Sequence, residues 1–109
     1  MLFKDPLLAK VMDGTKTQTR RLSKQTYKVG RIYGASRRRY QKSQAYIQIL
    51  NAFPQRLFNV TEEEAKAEGF NNLTEFLEWM TKNQGYFIPW QTVNAYEFHK
   101  TEKANLEVI

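Results

Sequence analysis

Residues 44–53 read Gln44-Ala45-Tyr46-Ile47-Gln48-Ile49-Leu50-Asn51-Ala52-Phe53. Ala45, Ile47 and Ile49 fall on one face and Tyr46, Gln48 and Leu50 on the other, the two-residue period of a strand. Pro54 follows, and because proline cannot donate to a ladder the strand is expected to end there. Working outward, Arg31 to Ser36 and the Thr-rich stretch Thr17 to Leu22 read as further strands, and Leu2 to Lys4 as a short one. Thr92 to His99 reads as the last strand. Helical spacing appears in three other places. Leu7, Leu8, Val11 and Met12 share one helical face, with Asp5-Pro6 as the expected start and Gly14 as the stop. Thr61-Glu62-Glu63-Glu64 has the form of a capping box and opens a short helix ending near Gly69. Asn72 and Glu75 repeat the device ahead of Leu73, Phe76, Leu77 and Met80, one buried stripe. Strands close in sequence, with no βαβ pattern, predict an α+β domain: a small, mostly antiparallel β-barrel with flanking short helices.

The chain has 109 residues and 14% aromatic side chains, enough to fill one core and too few for two. Residues 1–109 are therefore read as a single domain, with the tail from about residue 100 peripheral. No cysteine is present, which rules out disulfides, thiolate nucleophiles and cysteine metal sites. With charges inside its first apolar stretch and no long apolar run, the chain is expected to be cytoplasmic and away from membranes; the sequence leaves the oligomeric state open, a monomer being favoured.

The net charge of +6 is unevenly spread. Residues 1–42 hold twelve Lys or Arg against Asp5 and Asp13, whereas residues 43–109 hold five against nine Glu. A basic half of this kind suits a polyanion, most simply RNA. Arg37, Arg38, Arg39, Tyr40, Gln41 and Lys42 form a basic loop with one aromatic ring, suited to phosphates and a stacked base. The same run also reads as an ordinary solvated loop.

The stretch Gly14-Thr15-Lys16-Thr17-Gln18-Thr19-Arg20-Arg21 resembles the signature of the ASCH domain family. The likeness extends to Tyr27-Lys28-Val29-Gly30, to Val60 through Phe70, and to Val93-Asn94-Ala95-Tyr96-Glu97-Phe98. The resemblance implies a PUA-like barrel connected with RNA and nucleotide chemistry. Its small members similar to this chain are amidohydrolases that remove the acetyl group of N-acetylcytidine with a Lys, a Thr and a Glu. Carried over, these roles fall on Lys16, Thr19 and Glu68; Arg20 and Arg21 beside them, and Arg37, Arg38, Arg39, Tyr40 and Lys42 by their charge and ring, are expected to contact RNA or the nucleoside. The residues after Glu68 and the Arg37–Arg39 run depart from those amidohydrolases.

In chemical terms Thr19 would supply a hydroxyl nucleophile, and Lys16 could accept its proton only if burial or neighbouring charge lowered its pKa. Glu68 would oppose that shift and share the proton. Geometry raises a difficulty: in a regular strand residues 16 and 19 face opposite ways, so Lys16 must lie in the turn before the strand, or a bulge must intervene. No cofactor is expected. His99 is the only histidine, which leaves no catalytic His dyad and makes a metal site improbable. Trp79 and Trp90 are read as packing residues, and Ser23, Ser36 and Ser43 have no partner pattern. Two alternatives to hydrolysis stay open: an RNA-binding module that breaks no bond, and an RNA-cleaving domain in which Lys16 and Arg21 steady a phosphate.

Overall fold

The computed structural model describes residues 1–22, 26–85 and 88–102. The readings placed on Ser23 and on the tail beyond 102 lie outside these residues. The sheet has four antiparallel strands: β1 (Gln18–Arg21), β2 (Ile32–Ala35), β3 (Ala45–Arg56) and β4 (Thr92–Thr101). Their spatial order is β1-β4-β3-β2, and the sheet curls into a half-barrel. Three helices flank it: α1 (Leu7–Met12), α2 (Glu62–Ala67) and α3 (Leu73–Gln84). The α+β architecture is the one the alternation and capping patterns predict.

Strand β3 runs through Pro54, contrary to the expectation that it stops there. The reason lies in what flanks it. Strand β2 pairs only with Ala45 to Gln48, so beyond the irregularity at Leu50 strand β3 has a neighbour on one side alone. Phe98 N donates to Thr17 O, which directs the even-numbered amides of β4 toward β1. Pro54 stands opposite Asn94, an even position, so its missing N–H would have pointed to the open side. The bulge at Leu50 bends the long strand and supplies the curl.

The start of α1 also differs from the sequence reading. Asp5 makes no capping bond; its carboxylate pairs with Arg37 Nε at 2.6 Å, and Pro6 precedes the helix instead. Leu7, Leu8 and Val11 are buried, but Met12 turns outward, since the stripe of so short a helix covers barely two turns. Leu2 contributes one bridge to Ser36 rather than a strand. The capping box of α2 is complete, with Thr61 Oγ1 accepting from Glu64 N and Glu64 Oε1 from Thr61 N. In α3, Asn72 caps as expected, whereas the Glu75 carboxylate bonds Asn71.

Two apolar clusters result. One gathers Phe3, Leu8, Val11, Ile47, Ile49 and Phe98 under α1. The other packs Leu57, Val60, Ala65, Phe76, Met80 and Val93 beneath α2 and α3. The candidate site lies between them.

Candidate functional site

Three backbone-anchored bonds bring residues 16 and 68 together although 52 positions separate them. Thr17 N donates to Ala67 O at 2.8 Å, Lys16 Nζ to Glu68 O at 2.7 Å, and Lys10 Nζ to Gly69 O. Gly69 makes this junction possible. Its φ of +105° is a conformation side chains avoid, and a Cβ there would crowd Lys10 and Leu7 at 3.2 and 3.3 Å. The chain therefore turns tightly after α2 and leaves the Glu68 carboxylate facing Lys16.

Lys16 precedes β1, which begins at Gln18, so the alternation of the strand does not govern it. That removes the geometric difficulty, and Lys16 and Thr19 line the same cavity. The ammonium of Lys16, 2% exposed, meets Gln18 O, Glu68 O and Glu68 Oε1 at 2.7–3.0 Å. All three of its N–H bonds are thus spent. Burial lowers the Lys16 pKa; Glu68 opposes the shift, and Arg21 and Arg20 add slightly to it.

Arg20 completes the buried network. Its Nε donates to Gln55 Oε1 at 2.7 Å, and NH1 donates to Gln18 Oε1 and Glu68 Oε2. NH2 lies 2.9 Å from Glu64 Oε2, close enough for charge attraction though not aligned as a hydrogen bond. Every edge of this guanidinium is engaged by the protein. Arg20 is accordingly a brace for Glu68 in this structure. Gln55 and Glu64, which the sequence did not mark as site residues, complete that brace.

Glu64 has its own electrostatic signature. Partial burial would raise its pKa, but hydrogen bonds from Thr61 and Gln55 and the Arg20 charge bring the net shift below the usual value. A carboxyl shifted down on folding stabilises above the unfolded pKa and loses that contribution as pH falls through the folded one. Thermal melts from pH 6 downward are therefore expected to show a loss of stability beginning near the ordinary Glu range, about 4.3, and continuing below it. Glu64→Gln should make that decline shallower; an unchanged acid profile would deny Glu64 this part.

Thr19 and Arg21 share the other face of β1. Thr19 is buried, and its Oγ1 accepts from Arg21 Nε at 3.0 Å. Arg21 NH2 donates to Leu2 O at 2.8 Å, and its guanidinium stacks 4.8 Å from the Phe3 ring centre. Burial also pulls the Arg21 pKa below its ordinary value, against Tyr27, Glu68 and Tyr96, yet a guanidinium keeps its charge.

These side chains open on a cavity of about 320 Å³. Lys16, Thr19, Arg20, Arg21 and Glu68 form its polar wall, and Leu2, Phe3, Leu7 and Trp79 its apolar one. Lys4 and Arg37 stand at the same cavity. Trp79 does pack against Phe70, as a core residue would, but it also faces this space. Trp90, also read as packing, is 67% exposed because it sits in the turn before β4. Arg37 reaches the cavity, whereas Arg38, Arg39, Tyr40 and Lys42 are exposed in the loop, Tyr40 at 97%. Arg37 also borders a second groove of about 450 Å³ with Asp5, Gln41, Lys42 and Gln44. That groove holds no buried polar cluster, so the smaller cavity is the candidate site. His99 is exposed and bonds Gln48 Oε1 at 3.1 Å.

The sequence matches the family model of the ASCH domain over residues 1–108. The chain belongs to the ASCH domain family. The same fold is seen in solved structures. An ASCH domain from Lactobacillus crispatus JV V101 superposes with a TM-score of 0.74 at 16% identity, covering 86% of this chain and 69% of that one. Protein EF3133 from Enterococcus faecalis V583, described under the family model DUF984, gives 0.68 at 23% identity, covering 92% and 74%. At these identities the likeness concerns the fold. No curated protein matches the chain. No helix among the described residues of this ASCH domain is long and apolar enough to cross a membrane.

Proposed function

We propose that this ASCH domain, residues 1–109 taken as one unit, binds a nucleobase or nucleoside in the cavity between Phe3 and Trp79. The reading includes RNA as the source of that ligand, a cytoplasmic monomer as the working form, and no cofactor. One observation carries it: a buried, charge-paired Lys16–Glu68–Arg20 network opens through Thr19 and Arg21 onto an aromatic wall. Burying three charged groups costs several kcal/mol per ion before pairing, by the order of magnitude known for such sites. A polar edge opposite Trp79 and Phe3 suits a flat, hydrogen-bonding ring, and the volume is that of a small-ligand site. Titration with cytidine and N-acetylcytidine, followed by tryptophan fluorescence, tests it. Saturable binding at one site is expected; no saturable binding would contradict the reading.

Hydrolysis of an N-acetyl amide is a second reading, favoured by the meeting of Lys16, Thr19 and Glu68 at one cavity. The Thr19 oxygen would attack the acetyl carbonyl and its proton would pass to the Lys16–Glu68 pair, then to the departing ring amine. Cytidine departs at that step, and water would then cleave the acetyl ester, giving acetate and restoring the Thr19 hydroxyl. Thr19 Oγ1 bonds Arg21 in the free protein, so a substrate must draw the hydroxyl toward the pair.

The basic loop serves RNA binding on this reading, since Arg37 borders both the cavity and the adjoining groove. Changing Arg37, Arg38 and Arg39 together to Ala is expected to weaken single-stranded RNA binding. The slope of log affinity against log salt should flatten by roughly 0.7 for each phosphate that the loop no longer neutralises. Filter binding across a salt series checks this; an unchanged slope would remove the loop from the interface.

A further inference from the structure

The charges around the cavity do not balance. Lys16 and Arg20 face Glu68 and Glu64, and Arg37 faces Asp5. Among the described residues, Lys4 Nζ is held by the neutral amide of Asn83 alone, at 2.7 Å. Arg21 is held by a hydroxyl, a carbonyl and an aromatic ring, and among the described residues no carboxylate forms an ion pair with it. Its NH1 makes no hydrogen bond to the described residues, nor is it sealed in without a partner. A guanidinium has five N–H groups, and the two bonds above use two of them. Partial burial makes an unneutralised cation expensive to hold, and an incoming anion would repay that cost.

Among the described residues, two positive charges without an ion-pair partner thus stand at one cavity, Arg21 on its polar wall and Lys4 at its edge. A phosphomonoester carries roughly −1.5 to −2 at pH 7, with three acceptor oxygens. We propose that the ligand of this cavity is a nucleotide bearing a terminal phosphate, with the phosphate on Arg21 and Lys4 and the base toward Trp79. This rests on the nucleobase reading and narrows it, since cytidine and N-acetylcytidine are uncharged. The same phosphate is carried by a free mononucleotide and by the phosphorylated end of an RNA strand. In the second case the following nucleotides have the adjoining groove at Arg37 and Lys42 to run along.

Calorimetric titration of the full chain at low salt with cytidine, cytidine 5′-monophosphate and inorganic phosphate tests the proposal. The monophosphate is expected to bind at least ~10-fold more tightly than cytidine, as one charge-assisted hydrogen bond implies. Arg21→Gln should abolish that preference, and Arg21→Lys should keep part of it. Arg31→Gln, an exposed change outside the cavity, should leave it intact. Short oligonucleotides with a 5′-phosphate or a 5′-hydroxyl separate the two sources: a phosphate-dependent gain beyond the mononucleotide indicates a strand end, and none indicates the free nucleotide. Equal affinity for cytidine and its monophosphate would overturn the proposal while leaving the nucleobase reading standing. Binding of inorganic phosphate as tight as the monophosphate would keep the anion seat but remove the base. Absence of binding by all three would overturn both.

Discussion

Glu68→Ala is expected to cost about 3–5 kcal/mol of folding stability, the usual loss when one partner of a buried ion pair is removed. The carboxylate is 4% exposed and accepts from Lys16 and Arg20. Deleting it leaves two buried cations facing each other, with Glu64 alone to compensate Arg20. Lys16 is already held at a lowered pKa by burial, so losing Glu68 drives it further toward the neutral form. Replacing both members of the pair, Lys16→Met with Glu68→Leu, should recover more than half of the loss, because no unpaired charge then remains between these positions. The recovered protein should no longer bind the ligand. Urea unfolding of the three proteins measures this, and a loss below about 1 kcal/mol in Glu68→Ala, the range of exposed pairs, would show that the network is not sealed in solution.

The second large effect belongs to the hydrolytic reading. Thr19→Val keeps the shape of the side chain and removes the hydroxyl, and release of cytidine from N-acetylcytidine should fall by at least ~100-fold. Thr19→Ser keeps both the hydroxyl and its hydrogen bond from Arg21 Nε, so it should retain most turnover. Lys16→Arg should fail like Lys16→Ala if Lys16 moves a proton, because a guanidinium does not deprotonate in this range. Partial rescue by Arg would make its role electrostatic. Wild-type inactivity on N-acetylated nucleosides would remove hydrolysis and leave binding.

Much of the fold was legible because its signals are local. The Ala45, Ile47, Ile49 alternation, the Thr61–Glu64 box and the Leu73 to Met80 stripe each specify an element within a few residues. The readings that failed depended on distant neighbours. Pro54 stays in β3 because β2 ends early, which nothing near Pro54 records. Asp5 leaves α1 uncapped because Arg37 lies within reach, thirty-two positions on.

The site was legible in a different way. Residues 16 and 68 share no local pattern, and their pairing came from the resemblance to ASCH domains. Once the bonds of Thr17 to Ala67 and Lys10 to Gly69 are seen, the convergence has a cause. Gln55 and Glu64 escaped notice because Gln55 fell beyond the expected strand end at Pro54 and Glu64 already had a role in the capping box. The Glu64 carboxylate serves both purposes, one oxygen bonding Thr61 N and Gln55 and the other facing Arg20. Trp79 gave a fainter signal. It stands three residues after Phe76, flanking the buried stripe, where a large ring can cover a cavity edge as well as a core.

On the proposed reading, a flat ring binds between the Lys16–Glu68 network and Trp79. The most direct test is a ¹H–¹⁵N NMR titration with cytidine and with N-acetylcytidine, comparing wild type with Trp79→Phe. Progressive, saturable shifts are expected at the Trp79 indole and at the Thr19 and Arg21 amides, with the Arg37–Lys42 loop moving little. Trp79→Phe should weaken binding without unfolding the chain. Shifts confined to that loop, or none at saturating ligand, would contradict the claim.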